Sequence, residues 1–472
     1  MIRNIRLRNF KSWKDSGDIP LAPITVFCGT NSSGKSSIGQ LLLLLKQTIE
    51  SDDRSRVLHF GDADSIIDLG NYRETVHGHA EKNHIGFTLE FDTEGKLEFS
   101  NPAYDPKKTK HRYGPFERLS ITCEIGLNPQ HEQVAVERLT YACKEGPNPV
   151  SFEMHRKSDG GYELTETGGY ALKRRKNTKD MSAPNKFHGF PADTDAVFSN
   201  VDFLPDLSLQ VYELLAERFF YVGPLRQYPR RVYAYTGERP PHVGYSGERA
   251  VHALLASRDR KIQFFRNKAY SNRMEADRVV AEWLQTMGLI HSFDIAPIVK
   301  GRKEHEVKIR IGRDSSEVLI TDVGFGISQL LPVLVQSIYC NTNATVLFEQ
   351  PEIHLHPSVQ SELADVFIQA RRIKEDGKER ETQFIIESHS EHLIRRLQRR
   401  VAEDRIPASD VAIYFVTNEG GEARIERIEL DEFGTIRNWP KGFFGDELED
   451  LTQTTLAAIE KKKKRKSDGK DY

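Results

Sequence analysis

Cysteine is scarce in this chain, and the four that occur, Cys28, Cys123, Cys143 and Cys340, are widely scattered. None forms a C-x-x-C pair, so neither a zinc site nor a disulfide framework is indicated, and a reduced, cytoplasmic setting is expected. No stretch approaches the roughly 18 uncharged apolar residues that a membrane span requires, which excludes a membrane partner of that kind. The opening Met1-Ile-Arg-Asn-Ile-Arg-Leu-Arg alternates charged with apolar residues, the pattern of a strand and not of a signal peptide. A strong excess of one charge is also missing. The net charge is −2, and residues 461–472 hold seven basic and two acidic residues, so the body is more acidic than the total. The clustered Lys/Arg of a nucleic-acid binder is not indicated. The run Lys461 to Lys466 reads as a solvated, disordered terminus, and it is the one low-complexity segment.

What is present is an ordinary folded composition, 38% hydrophobic and 29% charged, and a length that predicts about two to four structural units. The strongest local signal is Gly29-Thr30-Asn31-Ser32-Ser33-Gly34-Lys35-Ser36, a complete G-x-x-x-x-G-K-[ST] phosphate loop, followed by Ser37. It sits on the apolar run Ile24 to Cys28 and precedes the apolar run Ile38 to Leu45, a strand-loop-helix context. Gly29 and Gly34 let the backbone curl until successive N–H groups point at phosphate oxygens. Lys35 neutralises the β- and γ-phosphates, Ser36 offers a hydroxyl to Mg²⁺, and the helix N-terminus adds to the anion site. ATP with Mg²⁺ is the expected cofactor pair.

Periodicity divides the rest. From Ile85 to Glu166 the period turns to two, with strands separated by Gly, Asn, Pro and Asp clusters, as in an antiparallel meander. Residues 168–200 read as a long surface loop. A helix-rich stretch is expected from Arg249 to about Leu289, and Thr345 to Phe348 and Gln383 to Ile386 read as central parallel strands. The resulting division is 1–80 for the first part of a nucleotide-binding head, 81–205 for a β-rich insertion, and 206–300 for a helical arm. Residues 301–445 form the second part of the head and 446–472 a final helix with the basic tail.

Four later segments narrow the kind of head. The strand Val346-Leu-Phe ends in Glu349, an acid placed to hold the Mg²⁺ shell. Gln350-Pro351-Glu352-Ile-His354-Leu-His356-Pro357 follows. The strand Phe384-Ile-Ile leads to Ser388-His389-Ser390, a polar tip able to reach a γ-phosphate. Asp322-Val-Gly324-Phe-Gly326-Ile-Ser328-Gln329 opens a helix before the Glu349 strand. This order resembles the ABC-type ATPase heads of the SMC and RecF proteins, and more closely the OLD-like (overcoming lysogenization defect) branch, which opens I-x-x-I-x-L-x-N-F-K, here Ile2 to Lys11. The resemblance covers about 1–50 and 305–415. It implies an α/β head with a mixed or parallel nucleotide-binding sheet, an inserted meander and a helical arm. Gly29 to Ser37 would be its Walker A, Glu349 its Walker B acid and second metal-shell group beside Ser36, and His389 its switch histidine. Gly324, Gly326, Ser328 and Gln329 would be a degenerate signature presented to the γ-phosphate of a second copy. A homodimer, or a higher even-numbered assembly, with ATP sandwiched between copies is implied.

The chain departs from that pattern at Gln350, where a water-polarising glutamate is usual. An amide cannot accept a proton, and loss of a general base typically costs about 10²–10⁴-fold, so with Lys35, Glu349 and His389 in place a slow ATPase is expected. Many OLD-like relatives append a Toprim nuclease, which needs a D-x-D pair; none follows Ser390. Asp431-Glu432 and Asp446-Glu447 read as surface acids, and Trp439 to Phe444 as a capping turn. A separate effector, nuclease or toxin, is therefore the expected partner, with DNA or a phage protein as trigger, in bacterial antiphage defence. The alternative is a RecF-like DNA-binding ATPase; a permease-coupled transporter fits less well. Glu352, His354 and His356 read as interface loop residues and not as metal ligands. Ser388-His389-Ser390 lacks the G-x-S-x-G elbow of a hydrolase. The arginines from Arg395 to Arg400 read as a solvated helix face. Gly223-Pro-Leu-Arg226 and Gly244-Tyr-Ser-Gly-Glu248 stand out without an assigned chemistry.

Overall fold

The computed structural model of the chain describes residues 1–100, 112–128, 133–144, 149–266, 269–440, 454–459 and 461. Six strands form the nucleotide-binding sheet, in the spatial order Phe219–Val222, Thr345–Glu349, Gln383–Glu387, Ile24–Gly29, Val411–Glu419 and Glu422–Ile428. The first five run parallel and the last is antiparallel to its neighbour. The central strands are apolar throughout because both of their faces are covered. Phe27, Leu347 and Ile385 enter one core, together with the loop helix Lys35–Glu50. Val26, Val346, Phe348, Phe384 and Ile386 enter the other, with the helices Phe325–Tyr339, Pro357–Arg371 and Glu391–Ala402.

The expected meander is an antiparallel sheet of Ile85–Ser100, Arg112–Asn128, Gln133–Lys144, Val150–Arg156 and Tyr162–Thr167. The strand Ile2–Phe10 joins it, pairing Ile5 with Leu89 and Leu7 with Phe87, and so stands away from the loop strand that follows it. The reason lies in its two unlike faces. Ile2, Ile5, Leu7 and Phe10 are fully buried, whereas Arg6 and Arg8 face outward and form ion pairs with Asp15 and Glu124. Such a strand suits a sheet with one solvated side. Further ion pairs, Arg138–Glu153 and Arg156–Glu137, continue across that outer face.

Two expectations need correction. The segment 168–200 is irregular but not a solvated loop, since Tyr170, Met181, Phe187 and Val197 are buried in the first core. Lys186 is also buried, and its Nζ donates to the carbonyls of Ile49 (2.9 Å) and Ser51 (2.6 Å) at the C-terminal end of the loop helix, where a cation is favoured. The helix-rich stretch after Arg249 consists of Ala250–Ala256 and Ala276–Thr286, split by the short strand Lys261–Gln263. That strand pairs with Met274–Glu275 and, over a long range, with Lys374–Glu375, a partnership that periodicity cannot reveal. Trp283, within the second helix, is buried, its indole N–H donating to Gln369 Oε1 at 2.9 Å. Residues 454–459 are helical. The basic run beyond Lys461, Asp446-Glu447 and the end of the Trp439–Phe444 turn lie outside the described residues. Among the described residues no helix is long and apolar enough to cross a membrane.

Candidate functional site: a phosphate loop beside two acid-tipped strands

The loop strand Ile24–Gly29 leaves the sheet at its carboxyl edge, and the helix begins at Lys35 with Gly34 at the N-cap, φ 101°. No side chain caps that helix, so its first-turn amides are free to face an anion. Lys35 curls back over the loop, Nζ donating to the carbonyls of Gly29 (3.1 Å) and Thr30 (2.6 Å), with Ser33 Oγ at 3.5 Å. Burial pulls its ammonium below the ordinary value, and Glu387 opposes that. The fully buried Trp13 donates its indole N–H to the Gly34 carbonyl at 3.0 Å and holds the loop from behind. A cavity of about 500 Å³ opens over the loop, walled by residues 31–37 together with Lys11, Gln40, Gln350, Glu387 and His389. Its size is that of a small-molecule site.

Glu349 and Glu387 end neighbouring strands in register. Ser36 Oγ donates to Glu387 Oε1 at 2.8 Å, and Tyr221 donates its hydroxyl to Glu349 Oε2 at 3.1 Å. Burial, and then the charge of Glu387, raise the Glu349 carboxyl to about 7, with Tyr221 opposing. Burial raises Glu387 as well, against Ser36 and Lys35. A serine hydroxyl beside two carboxylates is the hard-oxygen set that Mg²⁺ favours, so the donor set fits the ion. The sequence paired Ser36 with Glu349. In the fold, Gln383–Glu387 lies between the loop strand and Thr345–Glu349, which brings Glu387 to Ser36 and leaves Glu349 one strand further off. Glu387 was missed, although it ends an apolar strand just as Glu349 does. Lys11 and Tyr221 were likewise not singled out.

The raised Glu349 value carries a stability consequence. An acid whose folded value is raised contributes stability below its unfolded value and loses it as pH rises through the folded value. The rise from 4.5 to about 7 corresponds to about 3 kcal/mol. Glu349→Gln is therefore expected to raise the melting temperature of the nucleotide-free protein at pH 8 and to change it little at about pH 4, below the unfolded value. A pH-independent difference between the two melting curves refutes the assignment.

Gln350 adopts φ 44°, in the left-handed region, and its N–H donates to the Glu387 carbonyl at 2.8 Å. The exposed His389 faces the same cavity, its backbone N–H donating to Glu352 Oε1 at 2.7 Å. Burial and then Lys35 lower its imidazole from the ordinary value. Ser390 Oγ caps the following helix by accepting from Leu393 N at 3.2 Å, and it donates to Gln360 Oε1 at 2.7 Å. The Ser-His-Ser tip is thus a helix start beside the cavity.

The helix Phe325–Tyr339 begins away from the cavity of its own chain. Gly324 is exposed and Gly326 lies against the His354 carbonyl, where an added β-carbon would sit at 3.4 Å. Ser328 and Gln329 turn inward: Ser328 Oγ donates to the Phe325 carbonyl at 2.7 Å, and Gln329 Nε2 to the Arg226 carbonyl at 3.4 Å. His354 packs edge-on to Phe325, and His356 caps the helix Pro357–Arg371. The arginine-rich helix is not simply solvated, because Arg396 and Arg400 both bridge to Asp365 on the neighbouring helix.

A parallel sheet whose phosphate-loop strand lies beside a pair of acid-tipped strands, with an antiparallel meander and helices around it, defines an α/β nucleotide-binding head. The chain belongs to the AAA ATPase domain family, which matches residues 1–186 and 260–394. A family of proteins of unknown function (DUF3696) matches residues 406–453. No curated protein matches the chain. Similar solved structures include an SMC head bound to the C-winged helix domain of ScpA, at 13% identity and TM-score 0.42, covering 91% of this chain and 98% of that one. The SMC head domain from Thermotoga maritima is similar at 12% identity and TM-score 0.38, covering 91% and 99%. An SMC head with an extended coiled coil, bound to the C-terminal domain of ScpA from Pyrococcus furiosus, is similar at 11% identity and TM-score 0.39, covering 91% and 96%.

Proposed function

We propose that this chain is a slow, Mg²⁺-dependent ATPase that stays long in its ATP-bound state and pairs with a second copy while it does so. The observation that carries this reading is Gln350 on the wall of an otherwise complete phosphate site, where an amide takes the place of a proton acceptor. Ser36, Glu387 and Glu349 would hold Mg²⁺, which supplies charge neutralisation on the phosphates. Lys35 and the loop amides bind the phosphate oxygens, and His389 stands by the γ-phosphate end. Head-to-tail pairing is supported by the helix start at Gly324, which lies off its own cavity and is exposed. Nucleotide binding and dimerisation are then linked, each strengthening the other.

The resemblance to the OLD-like branch supports a separate effector, nuclease or toxin, as the client of this head in antiphage defence. The RecF-like alternative is less well supported, because Arg396 and Arg400 are spent on Asp365 and the outer sheet face pairs its own charges. Duplex binding needs free, clustered cations. The deciding experiment is steady-state hydrolysis by the pure chain beside its mass with and without ATP. Wild type is expected to turn over slowly as an ATP-stabilised dimer, and Gln350→Glu to run about tenfold faster or more. An unchanged or lower rate in the variant overturns the reading.

A further inference from the structure

Arg226 closes the Gly223-Pro-Leu-Arg turn, in a segment between the two stretches that match the AAA ATPase domain family. Its side chain is 6% exposed. Nη2 donates to the backbone carbonyls of Glu349 at 3.2 Å and Gln350 at 3.1 Å. One nitrogen thus holds both peptide groups at the point where the chain leaves the acid-tipped strand and Gln350 enters the left-handed region. Arg226 Nε and Nη1 are buried without a hydrogen-bond partner, and so is Glu352 Oε2. Burial brings the guanidinium down to about 10, with Glu352 as the main opposing charge, so it remains a cation at neutral pH.

The same residue reaches the helix Phe325–Tyr339. Its carbonyl accepts from Gln329 Nε2, and the next residue, Gln227, donates its N–H to the Ser246 carbonyl at 2.8 Å. Ser246 belongs to the Gly244-Tyr-Ser-Gly-Glu248 turn, and Gly247 of that turn packs so closely on the helix that a β-carbon would meet Pro332 Cγ at 2.3 Å. Gly223 N–H donates to the Tyr245 carbonyl at 2.8 Å. The two motifs left without chemistry by the sequence are therefore docked on each other, on the turn that carries Gln350, and on the helix that begins at Gly324.

We propose that Arg226 is a positioning residue that fixes the Glu349–Glu352 turn for hydrolysis and couples it to the helix Phe325–Tyr339. It acts through the backbone carbonyls of Glu349 and Gln350. The arrangement is costly as a stability device, because a buried cation keeps two donors unused. Its removal alone still leaves the Glu349 and Gln350 carbonyls without that donor and Glu352 without its opposing charge, so an apolar variant loses some stability as well. The test therefore rests on affinity against turnover and on rescue by lysine. The proposal depends on the ATPase reading above.

The experiment compares wild type, Arg226→Met and Arg226→Lys in the full chain, by thermal melting, by binding of a fluorescent ATP analogue and by steady-state turnover. For Arg226→Met the melting temperature is expected to fall moderately, the Kd for the analogue to stay within threefold, and kcat to fall at least tenfold. Arg226→Lys is expected to recover part of kcat, since an ammonium can still reach one of the two carbonyls. Should Arg226→Met fail to fold, Arg226→Lys carries the test alone, with unchanged Kd and lowered kcat expected. Affinity and kcat falling together in both variants would assign a merely structural role and overturn the proposal. Turnover in Arg226→Met within twofold of an active wild type overturns this proposal and leaves the ATPase reading intact. A wild-type chain that neither binds the analogue nor hydrolyses ATP overturns both.

Discussion

Glu387→Gln is expected to cut steady-state ATP turnover by about 10²-fold or more, the scale on which a group that takes part in proton transfer or metal-assisted catalysis is felt. Glu387 is the carboxylate in contact with Ser36 and the acid on the wall of the phosphate cavity. With Gln350 unable to accept a proton, it is also, with His389, a group on that wall able to serve as base. The amide of the variant keeps an oxygen for the Ser36 hydroxyl, so the loop helix and the strand end should stay in place. ATP affinity measured without Mg²⁺ is accordingly expected to change little, while the Mg²⁺ concentration needed for half-maximal turnover rises. A second effect follows from the same pair. Glu387 is one cause of the raised Glu349 carboxyl, so its neutralisation should return Glu349 toward the ordinary acid range and flatten the pH dependence of stability. Turnover within threefold of wild type would return the leading role to Glu349, as the sequence alone suggested.

The way that residue escaped a reading of the sequence shows where such readings stop. The phosphate loop was legible because its working parts are contiguous: Gly29, Gly34, Lys35 and Ser36 are all local chain geometry and local charge. Glu349 was legible because the apolar strand before it is buried on both faces and the acid is an abrupt change. Glu387 presents the same change, but its importance depends on strand order. Only the placement of Gln383–Glu387 beside Ile24–Gly29 makes it the partner of Ser36, and order among parallel strands is a long-range property that no window of sequence holds. Arg226 and Lys11 are further cases, since each acts on a site assembled from segments far away in the chain. The meander was legible from its period of two, yet that period does not say which other strand lies at its edge, and Ile2–Phe10 pairs there. In 168–200 the buried aromatics follow no period because no regular element presents them, and the polar residues between them gave the appearance of a loop.

Gly29→Ala is expected to be the most damaging small substitution at the site, lowering the melting temperature by several degrees and removing ATP binding with it. Gly29 has φ 140°, and an added β-carbon would lie 2.0 Å from the Val416 carbonyl oxygen, in the strand that pairs with Gly29. The obstacle is backbone and cannot rotate away, so the loop strand and Val411–Glu419 must part at the point where the phosphate loop begins. Backbone strain of this kind costs about 1–3 kcal/mol and overpacking a further 1–3 kcal/mol or so. With an unfolding entropy of about 2.1 cal/mol/K per residue, a chain of 472 residues shifts by roughly 1 °C per kcal/mol, so the two together predict a loss of about 2–6 °C. Binding fails for a separate reason, because the Gly29 carbonyl is one of the oxygens that place Lys35, and moving it moves the ammonium off the phosphate site. Gly420→Ala is the matched control. Gly420 has φ 63° with no atom within 4 Å of an added β-carbon, so it pays only the left-handed penalty of about 1–2 kcal/mol and should bind ATP as wild type does. The difference between the two melting temperatures isolates the steric clash from the conformational cost. Were Gly29→Ala to melt together with Gly420→Ala, within about 1 °C, and still bind ATP, the Val416 strand would have to yield freely, and the rigid seat inferred for the phosphate loop would be wrong.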